Sequence, residues 1–182
     1  EKRKQRQERL HLFENVLDNA RDGILITDNS ILSGEQPIIL YANRAMENIS
    51  GYTEEELVGK SPKILRGPDT QGGEKARISE ALRAGESIQS ELINYTKSGE
   101  PYWASLNILP VKDEQGKVSH FVSLQRNVSS ERIKQEEYKD LSTRLELALG
   151  ENEIGIWDLD LDKNVLLWDD NMYAIYGIAK DQ

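Results

Sequence analysis

Three apolar-rich runs follow one another between Ile88 and Asn127: Ile88–Thr96, Tyr102–Val111 and Val118–Asn127. They are joined by Lys97-Ser98-Gly99-Glu100 and Asp113-Glu114-Gln115-Gly116, short glycine-bearing links suited to β-hairpins. Within each run the side chains alternate in character, and alternation restricts the fold because successive strand residues point to opposite faces. Ile88, Ser90, Leu92 and Asn94 share one face with Tyr102, Ala104, Leu106 and Ile108, and with Phe121, Ser123 and Gln125. This set is expected to form an inner wall. The opposite set holds Ile93, Tyr95, Trp103, Leu109, Val122 and Leu124. It is too apolar to be left in water, so flanking helices or a second copy of the chain is expected to cover it.

Ahead of this meander, Gly23–Asp28 (GILITD) reads as a strand, Asn29–Gln36 as a loop, and Pro37 opens a second strand ending at Ala42-Asn43. Helical turns are expected over Arg44–Ser50 and Thr53–Leu57, where Thr53 and Glu56 have capping-box spacing. Gly73–Ala84 reads as a helix with Ile78, Ala81 and Leu82 on its apolar face and Gly85 as its stop. The order predicts an α+β fold: a five-stranded antiparallel sheet with helices on one face. Leu10, Phe13, Leu17 and Ala20 repeat at three-four-three spacing, and so do Tyr138, Leu141, Leu145 and Ala148. Such narrow stripes pair helices. The expected layout is a connector helix over 1–21, a domain over 22–129, a second connector over 130–149, and over 150–182 a strand-turn-strand-helix segment too short for its own core. That last segment is read as the opening of a further domain, with Trp157 and Trp168 in its core.

Composition narrows the function classes. The 182 residues carry 23 basic and 32 acidic side chains, net −9, which argues against nucleic acid as a partner. The one basic cluster, Lys2, Arg3, Lys4, Arg6 and Arg9, is interleaved with Glu1 and Glu8 and reads as a solvated helix face. The absence of cysteine excludes disulfides, thiolate metal sites and cysteine-linked cofactors, and fits a reducing, cytoplasmic setting. No apolar run approaches the ~20 residues that span a bilayer; a membrane segment upstream stays open. No phosphate loop, nucleophile elbow or kinase signature occurs, so this segment is not expected to be an enzyme. Glu55 and Glu56 are helical neighbours and diverge by ~100°. The aspartates at 158, 160, 162, 169 and 170 lack the glycine and terminal glutamate of a calcium loop. His11 and His120 are the only histidines, and neither lies on the Gly73–Ala84 helix.

The series Asn43, Ala45, Gly51-Tyr52, Glu55-Glu56, Gly59 resembles PAS domains over about residues 13–130. Gly59–Thr70, Leu92–Trp103 and Val118–Gln125 are similar to the light-oxygen-voltage (LOV) and related flavin-binding branch, and the stretch from Leu141 resembles the start of another PAS domain. The resemblance implies a flavin site contributed by Ser61, Lys63, Arg66, Asn94, Leu106 and Gln125. It also implies departures. Pro62 stands where photoactive members have the flavin-reactive cysteine, so adduct photochemistry is excluded. Lys63 and Ser79 replace the phosphate-binding arginines, Arg66 replaces a glutamine, and Ala104 replaces a flavin-reading asparagine. FAD is therefore expected ahead of FMN if a flavin binds, and haem is not, since haem-binding members use a histidine on the long helix.

Two functional expectations stand side by side. In one, the chain is an input and relay module of a bacterial sensor histidine kinase or cyclic-dinucleotide enzyme, redox-sensing through flavin. It would be a homodimer through its flanking helices and outer sheet face, passing strain from Gln125 through Asn127-Val128-Ser129 to the following helix. In the other, it is a ligand-free scaffold for dimerisation and spacing. The family junction is usually Asp-Ile-Thr, so Asn127 puts a customary salt bridge in doubt.

Overall fold

The computed structural model describes residues 11–12, 15–150 and 154–179, with the side chains of 148–150 left aside. The basic cluster and Leu10 and Phe13 of the first apolar stripe lie outside the described residues, as does the Ala148 side chain. The chain divides into two compact units, Glu1–Ser130 and Glu131–Gln182.

The first unit is an α+β domain around one five-stranded antiparallel sheet. Its strands are β1 (Gly23–Asp28), β2 (Ile39–Ala42), β3 (Ile88–Tyr95), β4 (Pro101–Lys112) and β5 (Val118–Asn127), in the spatial order β2-β1-β5-β4-β3. The helices α1 (Arg44–Ser50), α2 (Glu54–Leu57) and α3 (Gly72–Arg83) fall between β2 and β3 in the chain. Residues 11–12 and 15–18 are helical, and α4 (Ser129–Gly150) follows β5.

The alternation worked out for the meander is the register observed. Leu106 lies opposite Ser90 and Gln125, Ile108 opposite Ile88 and Ser123, and Asn94 opposite Tyr102. Every residue of the inner set is buried except Ile88, which is half-buried and packs on the core. On the outer set Ile93, Tyr95, Trp103, Val122 and Leu124 are half-buried and Leu109 is exposed.

The core has two parts. Leu25, Ile39, Ala42, Met46, Leu57 and Leu65 cluster where α1 and α2 meet β1 and β2. Ile31, Ile78, Leu82, Leu92, Tyr102, Ala104, Leu106, Ile108 and Phe121 cluster where α3 meets the meander. Ile78 and Leu82 are the buried side chains of α3, whereas Ala81, expected on the same face, is half-buried. Gly85 closes α3 in the left-handed region at φ +70°, where a side chain is strained. The Thr53/Glu56 capping box forms, with the Glu56 carboxylate accepting from the Thr53 N–H at 3.1 Å.

Two boundaries shift for physical reasons. The second strand begins at Ile39, because Pro37 has no N–H and the Ile38 N–H donates to the Asp28 carboxylate at 2.9 Å instead of to a strand partner. Within the expected loop, Ser30–Ser33 form a 3-10 turn that buries Ile31 in the core.

The second unit pairs β6 (Trp157–Asp160) with β7 (Val165–Trp168) antiparallel, followed by α5 (Asp170–Tyr176). The Asp169 carboxylate caps α5 by accepting from the Met172 N–H at 2.8 Å. Trp168 packs on Tyr173 and Tyr176 at ring separations of 5.6 and 5.0 Å. Trp157, expected in a core, is 60% exposed.

Candidate functional site

The inner wall and the helical layer do not close completely. A cavity of about 90 Å³ remains between them. Its sheet side is formed by Leu25, Thr27, Leu92, Asn94, Leu106, Ile108, Phe121, Ser123 and Gln125, and its helical side by residues of 61–66 and of α3. All six residues implied by the resemblance, Ser61, Lys63, Arg66, Asn94, Leu106 and Gln125, line this one cavity. Pro62 and Ser79 line it too, while Ala104 is buried in the adjoining cluster.

The segment after α2 forms the mouth. Pro62–Leu65 is a single 3-10 turn; proline suits its first position because no N–H is wanted there, and the Ser61 hydroxyl accepts from the Lys63 N–H at 3.4 Å. Leu65 anchors the turn in the core at 1% exposure. Beyond it the chain is fastened to the edge strand β3. The Thr70 hydroxyl donates to the Ile93 carbonyl at 2.6 Å and accepts from the Gly67 N–H at 2.9 Å, and the Ile93 N–H donates to the Gln71 side chain at 3.0 Å. Tyr95 donates to the Asp69 carboxylate at 2.6 Å, and its ring lies so close to Gly67 that any Cβ there would collide with it. These fastenings have no periodicity to betray them in sequence, and they explain why Gly67 must lack a side chain.

Polar satisfaction is uneven inside the cavity. Among the described residues, the buried Gln125 Oε1, Ser123 Oγ and Tyr102 Oη have no hydrogen-bond partner. Gln125 and Ser123 are 5% and 8% exposed, and both face the cavity. Burial pushes the Tyr102 phenol up to about 12, with the Asn94 amide across the strand pair working the other way without reaching hydrogen-bond geometry. On the opposite wall the Ser79 hydroxyl donates to the Lys75 carbonyl at 2.8 Å, one turn back on its own helix. Arg66 is half-buried, its side chain makes no hydrogen bond or ion pair with a described residue, and burial lowers its guanidinium from the ordinary range. Leaving such groups unpaired costs on the order of 1–3 kcal/mol each.

Just beyond Gln125 the sheet meets both connectors. Gln125 lies opposite Gly23, and the next residue, Arg126, forms a two-pronged bridge to Asp22 at 2.9 and 3.0 Å. On the exit side the Asn127 side chain accepts from the Ser129 N–H at 3.0 Å, and Ser129 in turn accepts from the Trp103 N–H at 2.9 Å. The loss of charge at Asn127 therefore leaves an uncharged turn that starts α4. On the entry side Asn43 joins four backbone groups: Oδ1 accepts from Ile24 and Met46 N–H, and Nδ2 donates to the Leu17 and Asp22 carbonyls. Asn43 had been legible only as a family signature, not as the link between the N-terminal helix and the core.

A flavin is a poor match to this site. Small-molecule pockets usually enclose about 300–1,000 Å³, against about 90 Å³ here. The two positions that should clamp a phosphate offer one exposed lysine, Lys63, and one hydroxyl already donated to its own helix, Ser79.

Comparison with known proteins gives a consistent picture. The PAS domain pattern matches residues 21–130. A blue-light-activated histidine kinase of Brucella anthropi is 34% identical over 155 residues, covering 79% of this chain and 32% of that protein. The bacterioopsin transcriptional activator of Halobacterium salinarum is 38% identical over 126 residues, covering 69% of this chain and 18% of that protein. The chain thus spans a third or less of these relatives. The solved LOV domain of the Erythrobacter litoralis EL346 blue-light activated histidine kinase superposes with a TM-score of 0.56 at 29% identity, covering 61% of this chain and 99% of that one. The pattern match over residues 21–130 spans more than half of the chain, and the chain belongs to the PAS domain family, with cysteine-containing LOV photochemistry ruled out by its own composition.

Proposed function

We propose that residues 21–130 are the signal-input and relay module of a larger signalling protein, with no catalysis of their own, and that they convert occupancy of the cavity into movement of the flanking helices. One observation carries this reading: the unpartnered Gln125 oxygen faces the cavity from the strand whose next residues hold both connectors. A guest that bonds to Gln125 pulls on β5, and β5 is tied to Asp22 on one side and leads into Ser129 on the other. The ligand-free scaffold is disfavoured by the same atoms, since a core meant only to be filled gains from apolar side chains at 123 and 125. The flavin expectation is not carried into this proposal, because the cavity and the missing clamp do not suit it. The output domain is read as a histidine kinase or cyclic-dinucleotide enzyme, in keeping with the kinase relatives.

The test is hydrogen exchange on the 182-residue chain. Gln125→Leu is expected to leave the fold intact, within about 1 kcal/mol of the parent, and to change protection across the first turns of α4. Unaltered exchange in that helix would sink the relay.

Signalling by helix movement also calls for a twin. Tyr138, Leu141 and Leu145 stand 76%, 66% and 53% exposed along α4, which suits a helix that pairs with its copy. Sedimentation is expected to give a dimer that Leu141→Asp splits; a parent chain that stays monomeric at high concentration removes this part of the proposal.

A further inference from the structure

Resting on the relay reading, the identity of the guest can be narrowed by size, charge and hydrogen-bonding polarity. Size comes first. About 90 Å³ lies well below the roughly 300–1,000 Å³ usual for small-molecule pockets, so the guest has few non-hydrogen atoms and no fused ring system. Charge comes second. The lining contains two cations, Lys63 and Arg66, and no aspartate or glutamate, in a chain whose net charge is −9. Arg66 is the more telling of the two, being half-buried and without any described partner, although burial of a guanidinium is normally matched by a carboxylate or carbonyl. Polarity comes third. The orphaned Gln125 Oε1 can only accept, so it calls for a donor on the guest, and Ser123 Oγ, equally unpartnered, can serve either way. Between these poles the wall is apolar, with Leu25, Leu92, Leu106, Ile108 and Phe121.

We infer that the cavity binds a small hydroxycarboxylate, with its carboxylate toward Arg66 and Lys63 and its hydroxyl donating to Gln125. The arrangement explains why a half-buried arginine and a buried amide oxygen are both left open in one chamber: a two-ended guest satisfies both together. A two-pronged guanidinium–carboxylate pair supplies the anchor, and the hydroxyl supplies the contact on β5 that the relay reads. An acid without the hydroxyl leaves Gln125 unpaired and binds less well, as expected for a site built to bond a substrate hydroxyl.

The test is thermal unfolding of the 182-residue chain with lactate, glycolate, propionate and, separately, FAD. Lactate or glycolate at about ten times its dissociation constant is expected to raise the midpoint by roughly 5 °C. Propionate, which is lactate without the hydroxyl, is expected to give less than half that shift. Arg66→Gln should abolish the lactate effect. Gln125→Leu should make lactate and propionate alike. Lys63→Gln, at an exposed position where folding is not at risk, should weaken lactate binding several-fold. Three results each overturn the inference: no shift with either hydroxy acid, a lactate shift undiminished in Arg66→Gln and Lys63→Gln, or stable uptake of FAD giving a yellow protein. None of them touches the exchange measurement on Gln125→Leu, so a wrong guest and a failed relay are told apart.

Discussion

Asn43 and Gln125 are similarly secluded from solvent, at 1% and 5% exposure, yet Asn43 commits both side-chain atoms to backbone partners while the Gln125 oxygen has none. The contrast extends to their surroundings. Asn43 sits beside the cluster of Leu25, Ile39, Ala42, Met46, Leu57 and Leu65 and caps α1. Gln125 faces the chamber between α3 and the meander. One half of the domain uses a buried amide to hold a chain crossing in place; the other keeps one in reserve. A buried polar residue is thus informative only once its partners are counted, because the same seclusion goes with a fully partnered amide in one case and an open oxygen in the other.

The sharpest way to break the contrast is Asn43→Ala. It strands the Ile24 and Met46 N–H groups and frees the Leu17 and Asp22 carbonyls, and a loss of about 3 kcal/mol is expected by urea unfolding, from the helix cap and the buried donors together. A loss no greater than that of Gln125→Leu would erase the distinction.

A second probe is alkaline pH. The fold holds Tyr102 in its neutral form, and its phenol is pushed up to about 12 from the ordinary ~10. Because the folded value is the higher one, the contribution is complete below pH ~10 and declines as pH rises toward 12, by about 2 kcal/mol across that window. Tyr102→Phe removes both this dependence and an unpartnered hydroxyl, so the variant should equal or exceed the parent at pH 7 and lose less between pH 10 and 12. A parallel decline in both proteins would refute the assignment.

The smallest effect belongs to the Arg126–Asp22 bridge, which is largely exposed. Asp22→Asn is expected to cost under about 1 kcal/mol. It should nevertheless speed proteolysis within residues 15–22, since it releases one of the ties between β5 and the entry connector. A rate equal to the parent's would show that the bridge does not hold the entry connector to β5.

The sheet was readable because period-two alternation survives along three consecutive runs, and Ser90, Asn94, Ser123 and Gln125 fell on the inner face by counting alone. The cavity lining followed in part from resemblance, which pointed to Ser61, Lys63 and Arg66 on a segment with no periodic pattern. The fastening of 66–71 to β3 left no trace in the sequence, because hydrogen bonds between a loop and an edge strand need neither spacing nor a particular residue class. The volume of the chamber was equally hidden, since it depends on how far Leu65, Ile78 and Leu82 advance toward the sheet.

That fastening joins two hazards. β3 is a border of the sheet, and Thr70 and Gln71 mask its Ile93 backbone groups. Prising the neighbouring rim outward to admit a bulky guest bares a strand ready to recruit another polypeptide. Selection for a wider chamber is therefore coupled to selection against clumping, and a variant engineered for larger guests needs a replacement mask on β3.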